Sequence, residues 1–185
     1  MANALNGHFE MPQIFPAVSI DVTATNMWQL EGCDKVDAQV ANLTGMVVPS
    51  QGQVTVQGDE RLVWAGRDRY LLTTRRSDLT DHDGVYATDQ TYGKTQLLIT
   101  GEDARALLSR GLPLDIDEGQ FAIGEVQHSH INHIGVSVIR NADVGGQPQF
   151  EVWVMRGFAK SLMEFLVHSA PVSYTHLTLP TNLRV

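Results

Sequence analysis

The chain reads as an α+β protein of two ferredoxin-like α/β lobes with antiparallel sheets. Two observations lead there. The order strand, Gly32, helix, Gly45, Pro49 returns in the second half as strand, Gly101, helix, Gly111, Pro113. The elements repeat although the residues do not, which is the mark of a duplicated unit rather than a solenoid. Each helix-bearing unit also carries β-prone runs separated by short turns. Helices combined with antiparallel strands define this class.

The elements follow in order. Residues 1–18 are polar and then Pro-punctuated, with Phe9, Met11, Ile14 and Phe15 as isolated apolar anchors around Pro12 and Pro16. This extended arm has too little local surface to bury them on itself, so it lies across its own domain or across a partner. Ser19 to Ala24 alternates at period two, and Asn26 to Leu30 is a second β-prone run. From Asp34 the apolar positions Val36, Val40 and Leu43 recur at helical spacing until Gly45. Strands are expected at Gln53 to Gln57, Arg61 to Ala65 and Arg69 to Thr74, with turns at Gly58-Asp59 and Gly66 to Asp68.

Ser77 to Gly84, with Asp78, Asp81, His82 and Asp83, divides the halves. It lacks the closing glutamate of a calcium loop and reads as a solvated acidic turn. The second unit opens on the clearest stretch of the chain, Thr91 to Ile116. Leu97, Leu98 and Ile99 are too short a run for a helix and read as a buried strand. Thr100 is the expected helix N-cap, with Glu102 and Asp103 against the positive end of the helix dipole. Ala104, Leu107 and Leu108 form the buried stripe, Gly111 ends the helix in a left-handed conformation, and Pro113 prevents its resumption. Gly119 and Gly124 bracket a loop, and Val126 to Ile139 reads as a strand ending at Arg140. A turn around Gly145-Gly146 leads to the strand Phe150 to Met155. Phe158, Leu162, Phe165 and Leu166 mark a last amphipathic helix. The run from Val172 resembles the in-frame translation of a transposase sequencing adapter, so residues 172–185 are set aside as non-native.

These elements make one domain over residues 19–170, with lobes at about 19–84 and 85–170. The 185 residues, 43 % hydrophobic, suffice for a real core. A net charge of -8 without a Lys/Arg cluster argues against nucleic acid or an anionic membrane surface as partner. The pair Arg75-Arg76 reads as a solvated loop. A single cysteine, Cys33, excludes an intramolecular disulfide framework or a multi-cysteine zinc site and reads as a small buried or half-buried residue. No signal-peptide pattern and no membrane-length apolar run occurs, so the expected location is the cytoplasm.

Few residues suggest chemistry. Three imidazoles suffice for a catalytic zinc, and His128, His130 and His133 are clustered. Strand alternation places His128 and His130 on one face and His133 on the other unless a bulge intervenes, so they read as solvent-facing or subunit-facing. Gly145-Gly146 and Gly66 belong to no dinucleotide or Walker-type run, and no nucleophile elbow occurs. Trp28, Trp64, Trp153, Tyr70 and Tyr92 lie on or beside strands and read as core, with some available to anchor an interface. No catalytic, cofactor-binding or metal residue is assigned.

The segment from Gly93 to Leu108, with Gly111, Leu112, Pro113, Leu114 and Asp115, resembles the gamma subunit of heterotetrameric sarcosine oxidase. Trp64, Gly66, Tyr70, Leu71 and Leu72 are similar to that family's strand pair, and Phe150 to Leu166 to its final strand and helix. The likeness runs collinearly from about Trp28 to Leu166. Its strand-Gly-x-Asp-Ala-helix element is shared by the wider aminomethyltransferase-like, folate-binding superfamily. The resemblance implies the same two-lobed fold and a non-catalytic subunit beside alpha, beta and delta partners. It places FAD, FMN, NAD, tetrahydrofolate and zinc on those partners and none on this chain. The complex it implies demethylates sarcosine to glycine, forming hydrogen peroxide and passing a one-carbon unit to tetrahydrofolate. The alternative is a free-standing folate-binding aminomethyltransferase-like protein. Catalytic members of the superfamily use an acid near the folate, but nothing equates Asp89 with it, and Asp89 reads as a strand-end carboxylate.

Overall fold

A computed structural model describes residues 4–5, 7–33, 36–81 and 84–170. Asp34 at the head of the first helix, His82 and Asp83 of the acidic turn, and the adapter-like run from Val172 lie outside the described residues. In chain order the elements are β1 (Gln13–Phe15), β2 (Val18–Thr23), β3 (Asn26–Gly32), α1 (Val36–Thr44), β4 (Val54–Gln57), β5 (Glu60–Gly66), β6 (Arg69–Thr74), β7 (Val85–Asp89), β8 (Lys94–Thr100), α2 (Ala104–Ser109), β9 (Val126–Ile131), β10 (Ile134–Val144), β11 (Gln147–Met155) and α3 (Ala159–Ser169).

The strands form two antiparallel sheets, and the α+β class holds. One sheet runs β1-β2-β8-β11-β10-β9 and the other β4-β5-β6-β3-β7. Leaving out β1, the two have the same order. In each, a strand (β8 or β3) leads through a helix into a three-stranded meander whose last strand pairs back to the first. The duplication is therefore structural. The flanking strand of each sheet comes from the other half: β2 pairs with β8, and β7 pairs with β3. A division near residue 84 thus does not separate the sheets, because each half completes the other's hydrogen-bond ladder.

Strand alternation gives each sheet two faces. The outer face of the first holds Leu97, Ile99, Phe150 and Val152 against Ala104, Leu107 and Leu108 of α2 and Leu162, Met163 and Leu166 of α3. The outer face of the second holds Leu30, Leu62 and Leu72 against Val36 and Val40 of α1. The inner faces meet through Met27, Val63 and Leu71 on one side and Val126, Ile139 and Trp153 on the other. The arm lies on its own domain. Leu5 is fully buried in the first sheet's core, Phe9, Met11 and Phe15 pack on it, and β1 adds an edge strand to β2.

Several local expectations need correction. Thr100 is not a helix cap: it stays in β8, where its hydroxyl accepts a hydrogen bond from Gln149 Nε2 at 3.0 Å, and Asp103 precedes α2 without a side-chain cap bond. Gly111 is not left-handed. A Cβ there would come within 2.7 Å of the Phe165 ring, so glycine serves the close approach of α2 and α3. Val126 to Ile139 is a hairpin rather than one strand. Asn132 and His133 take φ of 46° and 68°, the left-handed pair of a tight hairpin turn, and β10 runs past Arg140 to Val144. Phe158 stays exposed before α3, whose buried stripe uses Ala159 and Met163 with Leu162 and Leu166. Cys33 is exposed rather than buried.

Candidate functional site

The inner face of the first sheet is unusually polar for a surface covered by another sheet. In register across it run Thr23, Gln96, Trp153, Ser137 and His128, one from each of β2, β8, β11, β10 and β9. The neighbouring row is Asp21, Leu98, Glu151, Ile139 and Val126. Gln96 is tied at both ends of its amide: Thr25 Oγ1 donates to Oε1 at 2.9 Å, and Nε2 donates to the Thr25 carbonyl at 3.3 Å.

Glu151 is the deepest charge, 2 % exposed. Arg61 reaches it from β5 of the opposite sheet, and Trp153 Nε1 donates to its other oxygen. Arg61 Nη2 also donates to Asn141 Oδ1 at 3.2 Å, and Asn141 Nδ2 donates to Gln149 Oε1 at 3.2 Å. A buried ion pair contributes little net stability because both charges lose water, but it constrains where the sheets can dock. Arg61–Glu151 therefore acts as the register pin of the inter-sheet seam.

At the open edge of the seam, backbone hydrogen bonds join the sheets: Val54 N to the Gly124 carbonyl at 2.8 Å and Val126 N to the Gly52 carbonyl at 2.9 Å. Beside them lies a groove of about 490 Å³ lined by Gln51, Gly52, Trp64, Val126, Gln127 and His128. The His128 and Trp64 rings are 5.7 Å apart, and His128 Nδ1 shares a 2.9 Å hydrogen bond with Ser137 Oγ. His128 is exposed, although its ring contacts Trp64 and Ser137, so its burial is partial. Burial first, then the nearby Lys94 charge, lower its pKa from 6.5; a hydrogen bond to the Trp64 backbone opposes them.

The sign of that shift gives a pH dependence. Below about pH 6.5 an unfolded imidazole takes up a proton that folded His128 resists. The stability carried by the neutral ring is present above that pH and is lost as pH falls through the folded value. The urea midpoint is expected to drop between pH 7.5 and 5.5, and His128→Gln is expected to flatten part of that drop. An unchanged slope in the variant would refute the assignment.

The structure separates the three histidines. His128 belongs with Ser137 and Trp64, whereas His130 and His133 stack across the hairpin turn at 6.5 Å with planes 10° apart. Among the described residues no group of three His, Cys, Asp or Glu side chains is placed to hold a metal. Asp89 ends β7 and accepts the Thr91 amide at 2.8 Å, the role of a turn-closing carboxylate. Gly145 and Gly146 form the β10–β11 turn, and Gly66 lies at a register shift between β5 and β6. Trp28, Tyr70 and Trp153 are core residues, Trp64 walls the groove, and Tyr92 is exposed. Arg75 and Arg76 pair with Asp59 and Glu60. No sequence motif marks Arg61, Glu151, Lys94 or Ser137. Glu151 carried a usable signal, as a charge inside the apolar run from Phe150 to Val154.

Two facing antiparallel sheets with helices on their outer faces define an α+β class with a known representative. The chain superposes on a chain of "Heterotetrameric Sarcosine Oxidase from Corynebacterium sp. U-96 in complex with pyrrole 2-carboxylate" with a TM-score of 0.76 and 18 % identity, covering 87 % of each chain. At that identity the likeness establishes a shared fold. No protein-family profile and no curated protein sequence matches. Among the described residues no helix is long and apolar enough to cross a membrane.

Proposed function

We propose that the chain is a non-catalytic accessory subunit, of the gamma type, in a heterotetrameric sarcosine oxidase of the cytoplasm. The observation that carries this reading is the fold match over 87 % of both chains to a component of such an assembly. In this reading the alpha, beta and delta subunits hold FAD, FMN, NAD, tetrahydrofolate and zinc. The complex oxidises sarcosine to glycine, reduces oxygen to hydrogen peroxide and transfers the one-carbon unit to tetrahydrofolate. The chain's own polar residues then serve assembly: the Arg61–Glu151 pin and the Gln96 network fix the shape that partners meet.

Co-expression of residues 1–170 with the neighbouring genes, followed by purification on a tag carried by this chain, tests the reading. A yellow complex that consumes oxygen with sarcosine is the expected product. A colourless lone chain that binds tetrahydrofolate would overturn it in favour of the free-standing folate protein.

A further inference from the structure

One end of the inner face projects past the seam. Lys94 opens β8 opposite Met155, the last residue of β11, and Gly135 pairs with His130 one step beyond the Val136–Val154 pair. By alternation these four share the face of Gln96, Trp153, Ser137 and His128. Here the sheet is uncovered: Met155 is 52 % exposed, and a Cβ added to Gly135 would meet no atom within 4 Å. Arg156 N donates to the Gly93 carbonyl at 3.0 Å, bringing the exit of β11 beside the entry of β8. Tyr92 and Phe158, 57 % and 56 % exposed, lie one residue before and two residues after that bond. Single exposed apolar side chains are ordinary, and these three lie at one sheet end, each within two residues of the Arg156–Gly93 bond.

Lys94 says what kind of surface fits. It is half-buried, burial lowers its pKa, and no ion pair among the described residues includes it. A cation held partly out of water without a carboxylate is costly, and an acid brought from outside offsets that cost. A second copy of this chain is a poor occupant, because a two-fold contact on the patch would bring two Lys94 side chains together between two chains of charge -8.

We infer that this patch docks an acidic segment of another subunit, whose Asp or Glu pairs with Lys94 while an adjoining apolar side chain covers Met155, Tyr92 and Phe158. The inference rests on the accessory-subunit reading above. Two measurements on the purified wild-type complex test it without depending on any variant's folding. Acetylation of Lys94 by an N-hydroxysuccinimide ester is expected to fall at least tenfold relative to the lone chain. Zero-length carbodiimide cross-linking is expected to join Lys94 to a partner carboxylate. Lys94→Glu and Met155→Asp are expected to weaken assembly at least tenfold, with Lys94→Arg retaining it and reversal of the cross-linked acid to Lys restoring Lys94→Glu. A complex that forms with Lys94 acetylated as in the lone chain overturns the docking site and leaves the subunit reading standing. Protection that rises with concentration of the lone chain assigns the patch to a second copy and also overturns the inference. If no complex forms with wild-type chain, both fail.

Discussion

Replacing Arg61 by Met is expected to cost about 3 kcal/mol of folding stability, the lower end of what breaking a buried ion pair costs. Among the described residues the Glu151 side chain would then keep the Trp153 indole alone as partner, at a position that is 2 % exposed with Arg61 in place. The lower end applies because the Arg61 side chain is 21 % exposed, so some water reaches the guanidinium. For a chain of this size, 3 kcal/mol corresponds to a fall in Tm of roughly 10 °C. Urea unfolding should show a lower midpoint at unchanged slope, since the surface exposed on unfolding stays the same. The double variant Arg61→Met with Glu151→Met should recover part of the loss, because no unpaired charge remains. Recovery stays incomplete, as the Trp153 N–H loses its acceptor, a cost of about 1–3 kcal/mol. A loss below 1 kcal/mol in the single variant would mean that water reaches the carboxylate and the pin is not buried.

What was legible in the sequence follows from how local each signal is. The buried stripe Ala104, Leu107 and Leu108, the stop at Gly45 and the turn at Gly58 are set within a few residues, and all three stand in the structure. The order of elements was also legible, and the duplicated topology follows it. The exchange of β2 and β7 was not, because pairing partners more than 50 residues apart, such as Gly32 and Val85 or Ser19 and Thr100, leave no trace in alternation patterns. The hairpin at Asn132-His133 escaped for a chemical reason: Asn favours the left-handed turn, but His in place of the usual Gly hides it. The site was the least legible part. Arg61 meets Glu151 across 90 positions, and His128 meets Trp64 and Ser137 from two sheets, so only the folded chain brings them together.

Gly101→Ala carries the other large effect, expected at several kcal/mol. Gly101 stands between β8 and α2 with φ of 144°, where side-chain-bearing L residues are strained by about 1–3 kcal/mol. A Cβ there would sit 2.2 Å from the Ala17 carbonyl oxygen and 2.7 Å from Val18 Cα, both backbone atoms that no rotamer change can move aside. Overpacking adds a further cost of about 1–3 kcal/mol. The same Ala17 carbonyl accepts the Asp103 amide at 3.1 Å, and Gly101 N donates to the Pro148 carbonyl at 3.1 Å, so the corner ties the β1–β2 turn to the second unit. Relief of the clash must push residues 16–18 outward, which unseats the arm. The variant should therefore show a lower Tm together with faster proteolysis between residues 4 and 17, whereas Arg61→Met should lower the Tm with the arm still protected. Equal arm protection in wild type and Gly101→Ala would show that the corner absorbs the methyl group elsewhere and that the arm's seating does not depend on it.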